Sequence, residues 1–228
     1  QTYNNYDGGI KYAYALIIGV GNDLPITVRD ATAIYNLLAS PDHGGYPRDN
    51  ITVLTEETAT REGILGALDE LVAKADEDAS VLLFYSGHGG TYTTNDLLEL
   101  ADKPTVPESE NQDYFFLQPS NFDVKDFDNT WVKAEELRAR IAKIRSKRLV
   151  LLLDCCHAAG MTQSLQFTTD YSPRKELQNA EGLAQNIDDG QGMSIISSCR
   201  EDQKSWILQG DYNSLFTKCL LQVLRGEH

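Results

Sequence analysis

Five short apolar runs dominate this sequence, and most are followed by a segment of helical spacing. Residues 14–20 (Tyr-Ala-Leu-Ile-Ile-Gly-Val) are the first, and residues 50–54, 80–85, 148–153 and 193–198 are the others. Runs this short predict strands, and those at 14–20, 80–85 and 148–153 predict strands buried on both faces. Residues 28–38 place Ile34, Leu37 and Leu38 on one helical face. Thr60 and Glu62 lead into a second helix carrying Ile64, Leu68 and Leu71, and residues 133–144 and 214–224 read as two more. Residues 91–130 read as irregular, with one short strand at 114–117. Strand and helix in alternation predict an α/β fold, a mostly parallel central sheet with helices on both faces. A chain of 228 residues with 41% hydrophobic residues can bury one such core, and a single domain over 1–228 is expected.

Composition removes several function classes. The formal net charge is −14, from 34 acidic and 20 basic residues, and no basic stripe suited to nucleic acid is present. No apolar run approaches the roughly 20 residues of a membrane-spanning helix. The start, Gln1 to Asp7, has no leader pattern, so a cytoplasmic location is expected. The four cysteines, Cys155, Cys156, Cys199 and Cys219, include an adjacent pair but no CxxC, which fits reduced thiols better than disulfides or zinc. Cys199 and Cys219 read as core thiols. Neither a GxGxxG turn nor a GxxxxGK[ST] loop occurs, which argues against a nucleotide-binding module.

Chemistry concentrates at two strand ends. The third run ends in Ser86-Gly87-His88-Gly89, and the fourth in Asp154-Cys155-Cys156-His157. Sites in parallel sheets form outside the carboxyl ends of strands. A cysteine near neutral pH is mostly thiol, and an imidazole activates it by taking the proton and later protonating the leaving amine. Alone, Cys156 reads first as a core residue and His88 first as a turn residue; together at neighbouring strand ends they read as nucleophile and acid–base partner.

Ser86-Gly87-His88-Gly89 resembles the histidine motif of caspases and metacaspases, and residues 154–160 resemble the metacaspase cysteine motif, with Cys155 in the place of a serine. Residues 19–31 resemble the first strand and turn of that family, and residues 197–206 the start of its small subunit. The prokaryotic members, called orthocaspases, are the most similar, since a calcium-binding insert is not evident. The resemblance implies a caspase-like three-layer sandwich divided into a large-subunit-like region (1–160), a flexible linker (161–192) and a small-subunit-like region (193–228). It implies catalysis by Cys156 and His88 through a thioester acyl-enzyme, with the N–H groups of Gly89 and Cys156 as oxyanion hole. It also implies cleavage after Arg, and less well Lys, in peptide or protein substrates.

For that specificity the resemblance offers Asp30 and Asp154 as acidic pocket residues and Ser86 as a polar wall; two carboxylates suit a guanidinium through paired hydrogen bonds. Asp30 reads equally well as a first-turn helix residue. Many metacaspases have cysteine where this chain has Thr27. Trp206 reads either as a subsite floor or as a core tryptophan. Arg174 and Lys175, the only basic residues of the linker, are candidate self-cleavage points. No cofactor is expected, activity without added calcium is expected, no metal ligands are assigned, and a monomer is favoured. The alternatives are a catalytically silent caspase-like scaffold that binds partners, or a protease of the same clan with different specificity.

Overall fold

The computed structural model describes residues 12–155, 192–198 and 210–227. Its main sheet is built from β1 (Ala13–Gly19), β2 (Ile51–Thr55), β3 (Ser80–Ser86), β7 (Arg148–Asp154) and β8 (Met193–Ser197), in the order β2-β1-β3-β7-β8. All four pairings are parallel. A smaller antiparallel sheet, β4 (Gly89–Thr93), β5 (Asp113–Leu117) and β6 (Val132–Lys133), stands beside it. The helices are α1 (Pro25–Ala39), α2 (Arg61–Lys74), α3 (Thr94–Leu100), α4 (Phe127–Thr130), α5 (Ala134–Ile141) and, near the end, α6 (Leu215–Leu224).

Alternate residues of a strand face opposite layers, and here both sets are apolar. Ala15, Ile17, Phe84 and Leu152 pack against Ile34, Leu37 and Leu38 of α1 and Leu221 of α6. Leu16, Ile18, Val81, Leu83, Leu151 and Leu153 pack against Ile64, Leu68 and Leu71 of α2 and Leu137 and Ile141 of α5. Each Leu, Ile, Val or Phe among these contributes about 1.5–3 kcal/mol on burial, which is why the runs that form β1, β3 and β7 are central strands; those that form β2 and β8 lie on the outer sides of the described sheet and are half-buried. Thr60 caps α2 by accepting from the Gly63 N–H at 3.0 Å. This is the α/β architecture expected, with a mostly parallel central sheet flanked by helices.

Three local expectations are corrected. Residues 91–130 are not largely irregular: β4 pairs with β5, and Tyr92, Phe116 and Trp131 stack across the small sheet with ring centroids 4.2–5.4 Å apart. The first helix begins at Pro25, so Asp30 lies in its second turn and is not a first-turn residue. Cys219 is exposed on α6 and is no core thiol, whereas Cys155 is buried. No helix among the described residues is long and apolar enough to cross a membrane.

Candidate active site

Gly19, Ser86 and Asp154 are aligned across β1, β3 and β7 as the last residues of three adjacent strands. Beyond this row the chains stay tied. The Gly87 N–H donates to the Asp154 carbonyl (3.2 Å), and the Val20 N–H donates to the Ser86 carbonyl (3.1 Å). A Cβ on Gly87 would stand 2.7 Å from the Tyr85 hydroxyl and 2.8 Å from a Val20 methyl, so only glycine lets the chain turn there.

That turn delivers His88, whose side chain is 35% exposed. The backbone of His88 is fixed from two sides. Its carbonyl accepts from the Gln118 N–H at 3.0 Å. The buried Tyr85 hydroxyl lies 2.7 Å from the same carbonyl and 3.0 Å from that of Gln118, sharing its one proton between them. Burial first, and then the neighbouring Cys155, push the Tyr85 phenol well above its ordinary range, so it remains a donor. The ring of His88 is fixed by Asp23: Nε2 lies 3.0 and 3.2 Å from the two carboxylate oxygens. Asp23 is 71% exposed, and a pair so open to water adds at most about 1 kcal/mol to stability.

The second cluster is acidic. Asp30, on the inner side of α1, is fully buried. Its carboxylate accepts from Asn213 Nδ2 (2.9 Å), the Ser214 N–H (3.1 Å) and Ser86 Oγ (3.1 Å). Asp154 is 4% exposed and accepts from Thr217 Oγ1 (3.2 Å) and from Ser214 Oγ. Ser214 also caps α6, so the positive end of that helix faces both carboxylates. Burial, and then the charge of Asp154, hold the Asp30 carboxyl above its ordinary value against the opposing donors. α1 lies this close because Gly19 has no side chain: a Cβ there would meet the Thr27 carbonyl at 2.3 Å.

The structure thus brings together Asp30, Ser86 and Asp154, three residues singled out in the sequence, and places His88 just beyond Ser86. Gly89 opens β4, opposite Leu117. Cys156, two residues past Asp154, lies outside the described residues, as do Trp206, Arg174, Lys175 and Cys199. Asp23, Asn213 and Thr217 were missed by sequence reasoning. Asp23 had a faint signal, an acidic residue in a Gly-Asn-Asp turn directly after a buried strand. Among the described residues, no group of three His, Cys, Asp or Glu side chains is set to hold a metal ion.

A histidine and an acidic pair at adjacent carboxyl ends of a parallel sheet invite comparison with known proteins. The family model described as the caspase domain, a peptidase family, matches residues 12–228. The chain belongs to the caspase-domain family. Among curated caspase-domain relatives, metacaspase-1 of Schizosaccharomyces pombe is 27% identical over 216 residues, which is 86% of this chain and 46% of that protein. Metacaspase-1 of Saccharomyces cerevisiae (strain ATCC 204508 / S288c) is 37% identical over 107 residues, 40% of this chain and 24% of that one. The chain therefore spans less than half the length of these relatives. A Geobacter sulfurreducens protein of known crystal structure shares the fold with a TM-score of 0.56 at 20% identity, over 94% of this chain and 82% of that chain.

Proposed function

We propose that this caspase-domain chain is a cysteine endopeptidase that cleaves after Arg, and less well after Lys. Cys156 is the nucleophile and His88 its acid–base partner. The observation that carries the reading is the register match of Ser86 with Asp154 on adjacent parallel strands, because His88 and Cys156 each stand two residues beyond it. His88 takes the thiol proton, the thiolate attacks the scissile carbonyl, and the proton then passes to the leaving amine. Water, deprotonated by His88, releases the acyl group. The N–H groups of Gly89 and Cys156 stabilise the oxyanion.

The acidic pair supports the choice of a basic side chain. Asp30 and Asp154 concentrate negative charge beside His88, and a guanidinium can take over hydrogen bonds that hydroxyl and amide donors now supply. Self-cleavage at Arg174 or Lys175, action without calcium, a monomeric state and a cytoplasmic site of action complete the reading, and Trp206 borders the cleft.

The test is hydrolysis of matched fluorogenic peptides ending in Arg, Lys, Asp or Asn, with and without a calcium chelator. Arg peptides are expected to turn over fastest, chelator or not. Cys156→Ala and His88→Ala are each expected to lower kcat by about three orders of magnitude or more. Preference for Asp, or full activity of Cys156→Ala, would refute the assignment. Replacing both Arg174 and Lys175 with Ala is expected to abolish the self-cleavage fragments on a gel.

A further inference from the structure

We infer that Asp23 is a positioning residue for His88, fixing which ring nitrogen carries the proton and which one is left basic; the inference deepens the peptidase reading and rests on it for the identity of the nucleophile that the basic nitrogen serves. An ionised carboxylate only accepts hydrogen bonds, and a neutral imidazole has a single N–H. With Nε2 at 3.0 Å from Asp23 Oδ2, the proton of the neutral ring belongs on Nε2. Nδ1 is then the basic nitrogen. When the Cys156 thiol gives its proton to Nδ1, the S–H bonding pair stays on sulfur and the ring becomes an imidazolium. The Nε2 proton stays where it is, and Asp23 faces the new positive charge.

Asp23 sits on a turn built to hold it. Gly21 and Asn22 adopt left-handed backbone angles, φ 78° and 54°. The Gly21 N–H donates to Thr27 Oγ1 (2.8 Å), Thr27 Oγ1 donates to the Leu24 carbonyl (2.9 Å), and the Leu24 N–H donates back to the Gly21 carbonyl (2.9 Å). Asn22 Nδ2 reaches the Ser120 carbonyl at 2.8 Å, on the segment that follows β5. On the other side, His88 is anchored by Tyr85 and Gln118. The two partners thus come from loops after adjacent strands, each braced independently of the Asp23–His88 bond. A chance meeting of surface charges would not need such bracing. Thr27, which replaces the cysteine of many metacaspases, acquires a role here, since its hydroxyl closes the turn.

The test reads the His88 ring directly. In protein with 15N-labelled histidine, ring nitrogen shifts of the neutral ring are expected to show the Nε2–H form in the unaltered protein and a mixture of both forms in Asp23→Ala. With an Arg peptide, Asp23→Ala is expected to lower kcat about 10–100-fold, since a small misplacement of a reacting group can cost about 100-fold, with KM within about twofold. Asp23→Glu is expected to recover part of kcat, and Asp23→Asn to behave like Ala because its amide can also donate to Nε2. An Nδ1–H form in the unaltered protein, or the same tautomer and kcat in Asp23→Ala, would overturn the inference. The peptidase reading fails separately, through unchanged turnover in Cys156→Ala. Should no peptide be cleaved, the ring shifts still decide whether Asp23 sets the tautomer.

Discussion

Asp30 combines two demands that pull against each other. Its carboxylate is fully buried, yet the proposed recognition of arginine needs it charged. Burial, reinforced by Asp154, raises its pKa in the folded chain. Between the ordinary carboxylate value and this raised one, the folded chain holds more protons than the unfolded chain. Stability therefore falls as pH rises through that window, and the loss is complete above the folded value. Asp30→Asn has no such loss. Whatever fixed cost its amide brings against Asn213, Ser214 and Ser86 is the same at every pH. The Tm of Asp30→Asn relative to the unaltered protein is thus expected to be more favourable at about pH 7 than at about pH 3, while cleavage after Arg collapses. Thermal melts across pH check the first part, peptide assays the second. Tyr85→Phe should cost about 1–3 kcal/mol, because the Gln118 and His88 carbonyls lose a shared buried donor, and kcat should fall with it. Of these residues, Ser86, Asp154 and His88 were legible because each lies in or next to a motif at a strand end, whereas Asp30, in the second turn of α1, was legible only through the family resemblance. Asp23 was not, because its partner stands 65 positions away and no local pattern connects them.

Elements were legible where one physical term dominates. β1, β3 and β7 are apolar on both faces, and no other structure would bury them, so their positions were readable to within a residue or two; β2 and β8, on the outer sides of the described sheet, are only half-buried. β4 was missed because Gly-Gly-Thr-Tyr-Thr has no apolar run; it exists through its pairing with β5 and through Tyr92 stacking on Phe116 and Trp131. Such cross-strand stabilisation is a property of two segments and is invisible in either alone. The start of α1 moved to Pro25 because proline is tolerated in a first helical turn. α1 also gives an element-scale test. Gly19→Ala would force its new methyl into the Thr27 carbonyl, displacing the helix that carries Asp30 and the hydroxyl that closes the Asp23 turn. A loss of about 1–3 kcal/mol is expected, with cleavage after Arg reduced beyond what the lost stability explains. Denaturation midpoints measured beside KM would show it.

On the scale of the whole molecule, the acidic centre is made by regions far apart in the chain. Asp30 is hydrogen-bonded by Asn213 and Ser214, 183 and 184 positions later, and Arg29 beside it reaches the Tyr212 carbonyl at 2.8 Å. Contacts this distant form late, because the intervening loop must close first. During synthesis the order is stricter still. Asp30, Ser86 and His88 all leave the ribosome well before Ser214 exists, so a nascent chain cannot yet surround Asp30 with the donors that accompany its burial. The recognition site proposed for a basic side chain is therefore not completed until the segment that holds Asn213 and Ser214 has been made.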